Sequence, residues 1–321
     1  MIAPRQREGR ISVVIAICNE EQALPELYRR LSAVLEGVGL DWELVLVEDS
    51  STDRTVEIMR DLALRDPRVK GVILTRGFGH HIAITAGLDY SRGDHIVLMD
   101  GDLQHRPEDI PRLLDVYFGG FDIVYGKRLT RQPLVKEIGS RAINALVNRL
   151  SDFPVDLNSG MFRVLSARVK VELHGMRERS RFLVGMIGWL GFTSAEVAIE
   201  EDARASGKTK YHLRQMVDLA TNYLTSFSTR PLRLAVYIGL LTSLLSVASA
   251  GVYLVKALFF GAIVVGFPTL IITLSLLGGM QLFVLGIIGE YIGKMFIEVQ
   301  ARQLYVVEAT MNLDRGDARS R

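Results

Sequence analysis

The sequence predicts an α/β domain with a mostly parallel sheet and helices on both faces, followed by a two-helix transmembrane hairpin. Three observations carry this. Short continuous apolar runs recur through the first half of the chain, as strands buried on both faces require. Stripes of apolar residues at helical spacing lie between them. Two long uncharged segments then follow within residues 231–293.

The strands come first. "ISVVIAI" (Ile11–Ile17), "ELVLV" (Glu43–Val47), "GVIL" (Gly71–Leu74), "HIVLM" (His95–Met99) and "DIVYG" (Asp122–Gly126) are apolar and rich in β-branched residues. One helical stripe is Leu24, Leu27, Tyr28, Leu31, Val34 and Leu35; a second is Val56, Met59, Leu62 and Ala63; a third is Ile110, Leu113, Leu114 and Tyr117. Such alternation argues for parallel pairing, and ligands of such sheets bind beyond the carboxyl ends of the strands.

Leu234–Val255 holds 22 residues without a charge. At ~1.5 Å per residue it reaches ~33 Å, enough for a ~30 Å hydrocarbon core. Gly261–Gly289 is a second uncharged run, with a turn expected around Gly266-Phe267-Pro268. Arg230, Arg233, Lys294 and Arg302 flank the pair and only Lys256 lies between, so the positive-inside rule places both ends in the cytoplasm of a multi-pass inner or plasma membrane protein. Tyr211–Thr229 carries a stripe of Met216, Leu219, Ala220, Tyr223, Leu224 and Phe227. That stripe fits a helix lying on the membrane or one packed on its own domain. The expected division is a catalytic domain over 1–205, a juxtamembrane segment over 206–230, the hairpin over 231–293 and a cytoplasmic tail over 294–321.

Composition narrows the function. A net charge of +2 gives no reason to expect a nucleic-acid partner. The single cysteine, Cys18, excludes an intrachain disulfide framework and reads as a small apolar residue. Trp42 and Trp189 read as packing residues. The start, "MIAPRQREGR", lacks the apolar core of a signal peptide.

The strand ends carry the chemistry. They present Cys18-Asn19-Glu20-Glu21, Glu48-Asp49-Ser50-Ser51-Thr52-Asp53, Thr75-Arg76-Gly77-Phe78-Gly79-His80-His81, Asp100-Gly101-Asp102-Leu103-Gln104 and Gly126-Lys127-Arg128. Any one of these fits a cap or a turn, and Asp53 fits the N-terminus of the helix after it. Asp-Gly-Asp alone is a common turn. At the end of a buried strand beside Asp49, its hard oxygens suit Mg2+ or Mn2+, with Gln104 adding a neutral oxygen. Zinc at His80-His81 is disfavoured, because adjacent side chains diverge on a helix or strand.

"VVIAICNEE", "LVEDSSTDRT", "RGFGHHIAITAGLDYSRGDHIVLMDGDLQHRPEDI" and "ASGKTKYHL" together resemble the family 2 glycosyltransferases. Within them the chain is most similar to polyprenyl-phosphate hexosyltransferases: dolichol-phosphate mannose synthases and bacterial GtrB-type undecaprenyl-phosphate glucosyltransferases. The resemblance implies a GT-A nucleotide-sugar-binding fold. It implies a donor bound by Ala16, Glu20, Asp49 and Asp100, with Arg76 at a strand end as a donor contact or a cap. It implies a metal on Asp100, Asp102 and Gln104. Arg128 and Arg141 match basic residues near the reaction centre, and Asp102 stands there with them. Arg204, Lys208 and Lys210 would meet phosphates, and Arg131 is a further candidate for the acceptor phosphate. UDP-glucose is the favoured donor, polyprenyl phosphate the acceptor, and a homotetramer the implied assembly.

Two departures stand out. Asn158-Ser159-Gly160-Met161-Phe162-Arg163 lacks an aspartate sometimes assigned as catalytic base, for which Asp156 is the stand-in, and His81 replaces a usual Gln or Glu. A processive polysaccharide synthase would carry a Gln-x-x-Arg-Trp motif, absent here. A non-catalytic nucleotide-binding module would not need the acidic triplet. A transporter subunit would need intramembrane charges that these spans lack.

Overall fold

The computed structural model describes residues 3–128, 149, 160–200, 225, 228–260 and 267–313. The chain divides into two compact units, one of residues 1–144, 155–211 and 302–321, the other of residues 145–154 and 212–301.

In the first unit the apolar runs become β1 (Arg10–Ile17), β2 (Asp41–Glu48), β3 (Val69–Leu74), β4 (His95–Leu98) and β5 (Ile123–Arg128). Between them lie α1 (Leu24–Val38), α2 (Thr55–Arg65), α3 (His80–Tyr90) and α4 (Ile110–Phe118). Then come β6 (Arg163–Ser166), α5 (Ala167–Gly175), α6 (Leu183–Trp189) and β7 (Ser194–Ile199), and finally β8 (Val307–Met311). One eight-stranded sheet runs β7-β5-β6-β4-β1-β2-β3-β8. Pairing is parallel except where β6 meets β4 and β5, and where β8 meets β3.

Strand alternation splits the core between the two faces. Ile11, Val13, Ile15, Ile17, Leu44 and Leu46 pack with the apolar stripes of α1, α2 and α4. In α1, Leu24, Leu27, Leu31 and Leu35 are fully buried, each stabilising by about 1.5–3 kcal/mol. The other face takes α3, which lies so close that a Cβ on Gly87 would stand 2.3 Å from Val14 Cγ1. Helices therefore cover both faces, as expected.

Part of the expected C-terminal tail joins the sheet. Residues 302–313 belong to the α/β unit, where β8 extends the sheet beside β3. Asn312 Nδ2 donates to the Ala63 and Val69 carbonyls at 2.7 and 2.9 Å. The Tyr305 hydroxyl donates to Asp89 at 2.8 Å, and the same buried carboxylate takes Arg177 at 2.8 Å and His174 at 2.7 Å. Burial and the Asp89 charge raise the Tyr305 pKa. Two further expectations change: Cys18 is exposed, because the strand ends at Ile17, and Trp189 is exposed at the end of α6. Trp42 is buried, with the Arg68 guanidinium 3.9 Å from its ring.

The second unit holds α7 (Arg230–Phe260) and α8 (Phe267–Val299), which touch each other. The Tyr291 hydroxyl donates to the Ser228 carbonyl at 2.6 Å. Apolar side chains such as Leu240, Leu244, Leu274 and Phe283 face outward. Among the described residues one stretch, Arg230–Ser249, is long and apolar enough to cross a membrane, where two were expected. Most of the amphipathic segment expected over Tyr211–Thr229 lies outside the described residues.

Candidate active site

The parallel strands deliver their carboxyl ends to one rim. Three non-glycine residues there have positive φ: Asn19 after β1 at 58°, Ser50 after β2 at 69° and Leu103 after β4 at 63°. Such backbone is costly for L-residues and is held only where the surroundings over-determine it. Side chains do so here. Asn19 Oδ1 accepts from the Thr52 N–H at 2.8 Å, and Ser51 Oγ accepts from the Asn19 N–H at 3.0 Å. Buried Glu48 accepts from the Ser51 N–H.

Asp53 supports the start of α2, accepting from the Thr55 N–H at 3.0 Å and from the Glu21 N–H at 3.2 Å. Burial would raise its carboxyl, but these hydrogen bonds and the Thr55 hydroxyl hold it low. Asp49 grips the loop before α3: its oxygens accept from the Phe78 N–H at 2.7 Å and the Gly79 N–H at 2.9 Å. It thus ties the end of β2 to the entry of α3.

Arg76 is exposed and holds its guanidinium 4.2 Å from the centre of the Phe78 ring. Ala16 and Glu20 sit half-buried along and just after β1, and the Glu20 N–H donates to Thr55 Oγ1 at 2.9 Å.

The acidic turn follows β4. A Cβ on Gly101 would stand 3.0 Å from Ile17 Cγ2, so glycine lets the turn lie close against β1. Asp102 Oδ1 accepts from the Gln104 N–H at 3.1 Å. Asp100 keeps a third of its side chain open, with Oδ1 3.2 Å from His80 Nε2 at the first turn of α3. Burial lowers the His80 pKa, but the hydrogen bond to Asp100 and the charges of Asp100, Asp49 and Asp102 outweigh it, so the imidazole titrates above its ordinary value. His81 diverges, packing edge-on against Phe182, and burial first, then the charge of His80, brings its pKa down to about 4. The His80 and His81 rings lie edge to face, 5.8 Å between centroids.

Among the described residues no group of three or more His, Cys, Asp and Glu side chains stands ready as a cation cage. The donor set still fits Mg2+ or Mn2+. These cations keep waters and take substrate phosphate oxygens, so one or two carboxylates suffice. Asp100 and Asp102, on one turn at the rim with Gln104, provide such hard oxygens.

Arg128 ends β5 at the same rim as Asp100. Arg131, Arg141, Asp156, Arg204, Lys208 and Lys210 lie outside the described residues. Sequence reasoning did not single out His105, although it follows Gln104 directly. Its ring is 1% exposed and receives the Asp100 N–H at 3.1 Å.

Residues 12–171 match the family model described as glycosyl transferase family 2, and residues 230–295 match the one described as GtrB C-terminal hairpin. The chain is 36% identical over 310 residues to the uncharacterized glycosyltransferase YkcC of Bacillus subtilis (strain 168), covering 96% of each.

The chain belongs to glycosyl transferase family 2.

Other family 2 relatives carry more specific names. The SfII prophage-derived bactoprenol glucosyl transferase of Shigella flexneri is 35% identical over 93% of this chain and 97% of its own. The undecaprenyl-phosphate 4-deoxy-4-formamido-L-arabinose transferase of Pseudomonas aeruginosa (strain LESB58) is 35% identical over 93% of this chain and 89% of its own. The α/β domain is the GT-A-like sheet of a glycosyltransferase.

Proposed function

We propose that this glycosyltransferase moves a hexosyl group from a nucleoside-diphosphate sugar, UDP-glucose by preference, to a polyprenyl phosphate such as undecaprenyl phosphate. The acidic turn Asp100-Gly101-Asp102 at the sheet rim carries the reading. Two relatives named for bactoprenol or undecaprenyl-phosphate transfer support the acceptor. The hairpin match supports a membrane anchor of two helices, α7 and α8, and the basic residues flanking it favour the cytoplasmic side for the catalytic unit.

The acceptor makes little demand on a base. A phosphate monoester has its second pKa near ~6, so it is largely an oxyanion at neutral pH. The harder task is the leaving diphosphate, which gains negative charge as the glycosidic bond breaks. A divalent cation held by Asp100, Asp102 and Gln104 supplies Lewis-acid stabilisation of that charge. Asp49 and the α3 entry shape the donor side, with Ala16, Glu20 and Arg76 along the rim. Arg128 contributes positive charge where two anions must meet, and Arg131, Arg141, Arg204, Lys208 and Lys210 are proposed to share that role. Arginine's planar fork suits phosphate oxygens. Attack by the acceptor phosphate on the anomeric carbon in a single displacement inverts its configuration. Asp156 is the proposed base, and it matters less than Asp102.

A donor panel tests the reading. Purified full-length protein, undecaprenyl phosphate and Mn2+ are incubated with radiolabelled UDP-glucose, GDP-mannose or a UDP-linked 4-deoxy-4-formamido-arabinose, and lipid-linked label is counted. UDP-glucose is expected to label the lipid fastest. Faster labelling by another donor would reassign the sugar. No labelling with any donor would overturn the reading.

A further inference from the structure

The turn that carries Asp100 and Asp102 is closed by a side chain outside the acidic motif. His105 is almost wholly buried, with its ring stacked on Phe162 at 5.2 Å and 20° between planes. Its Nδ1 stands 3.1 Å from the Asp100 backbone nitrogen. A backbone N–H can only donate, so Nδ1 must present its lone pair, and the ring's proton belongs on Nε2. The 3.6 Å between Nδ1 and Asp100 Oδ2 then joins two acceptors and is not a hydrogen bond. The attachment of His105 is to the backbone of the turn, not to its charge.

This placement spans the motif. One hydrogen bond links residue 100 to residue 105, and the residues between include Gly101 against β1, Leu103 at φ 63° and the Asp102–Gln104 contact. Without an acceptor at 105, the Asp100 N–H loses this hydrogen bond, and a part-buried donor left unsatisfied costs up to about 1–3 kcal/mol. Rotation of the Asp100 peptide toward another acceptor would recover that and would also redirect the carboxylate. Phe162, immediately before Arg163 where β6 begins its pairing with β4, stacks on the ring.

We propose that His105 is a positioning residue for the cation site: by accepting the Asp100 N–H it sets the direction of the Asp100 and Asp102 carboxylates, and so the affinity for a divalent cation. The inference rests on the proposed cation role of the acidic turn.

The test is Mn2+ binding to the full-length protein in detergent with UDP present, read from the electron paramagnetic resonance signal of free Mn2+. Three variants separate the acceptor from the packing. His105→Leu fills the space but accepts nothing, His105→Asn keeps a short acceptor, and Phe162→Leu removes the stacking while keeping the imidazole. Supporting groups around metal ligands typically govern about 10–100-fold in affinity, so His105→Leu is expected to weaken Mn2+ binding by at least about 10-fold. His105→Asn is expected to recover a clear part of that loss, and Phe162→Leu to bind more tightly than His105→Leu.

Wild-type affinity in His105→Leu, or equal loss in the Leu and Asn variants, would overturn the proposal. Should His105→Leu fail to fold, the Asn and Phe162→Leu variants decide: Mn2+ binding weakened at least as much by Phe162→Leu as by His105→Asn makes packing the cause and overturns it. Absence of saturable Mn2+ binding in the wild-type protein is a different outcome, which removes the cation reading itself.

Discussion

Carboxylates at the two rims of the sheet are held in opposite ways. Where β5 and β3 begin, two acids are buried and matched. Asp122 stands before β5 with 9% of its side chain exposed and accepts from Arg5 at 2.5 Å, Ser166 at 3.0 Å and Thr193 at 3.1 Å. Asp66 stands before β3 at 8% exposure and takes Arg68 and Tyr28, each at 2.9 Å. Where strands end, Asp100 keeps 33% of its side chain open and meets the His80 imidazole. Asp49 and Asp102 there accept from backbone N–H groups. Abundance of acid does not mark a site. The same residue type locks the fold where it is buried against arginine, and stays open to solvent at the rim where the cation is proposed to bind.

The comparison is broken most easily from the strand-end side. Asp102→Asn is expected to lower lipid glycosylation by about 100–1000-fold, the scale of removing one electrostatic stabiliser of a transition state, while the thermal midpoint shifts little. Asp122→Ala is expected to do the reverse. It leaves the half-buried Arg5 guanidinium without its carboxylate, at a cost of up to about 3 kcal/mol in denaturant unfolding, while turnover per folded molecule stays near wild type. Exchanged outcomes would mean that the rims are misassigned.

Acid sharpens the contrast. For Asp122, burial raises the carboxyl pKa, but hydrogen bonds from Arg5, Ser166 and Thr193 outweigh it and hold it below the ordinary value. Asp66 is lowered likewise, against burial, chiefly by Arg68. A carboxyl lowered in the folded state contributes stability that is full above its unfolded pKa, near ~3.9, and is lost as pH falls through the folded value. Acid unfolding should therefore begin below about pH 4, and Asp122→Asn should show a shallower decline there. An equal slope in both proteins would contradict the assignment. The smallest expected effect is at the returning chain: Tyr305→Phe removes one hydrogen bond to Asp89 and should cost about 1 kcal/mol in urea unfolding.

Much of this was legible in the sequence, for identifiable reasons. Helices α1, α2 and α4 each bury one face, so their stripes show. Helix α3 is buried through Ala83, Ile84, Ala86, Gly87 and Leu88, and a helix enclosed on several sides has no stripe to read. Strand β8 hides in what reads as a polar tail, because its partner β3 lies more than two hundred residues earlier and no local pattern records that pairing. Asp100 and Asp102 stand out in the sequence as a proposed cation site because two hard-oxygen side chains end a buried strand. His105 does not, since its role depends on Phe162 lying beneath it and on the direction of one backbone N–H.

The most direct measurement is transfer of radiolabelled glucose from UDP-glucose to undecaprenyl phosphate by the purified full-length enzyme, with Mn2+ and with excess chelator, beside the Asp100→Asn/Asp102→Asn double variant. Labelled lipid should form with Mn2+, vanish with chelator and stay near background in the variant at any Mn2+ concentration. Undiminished labelling by the variant with chelator present would contradict the account.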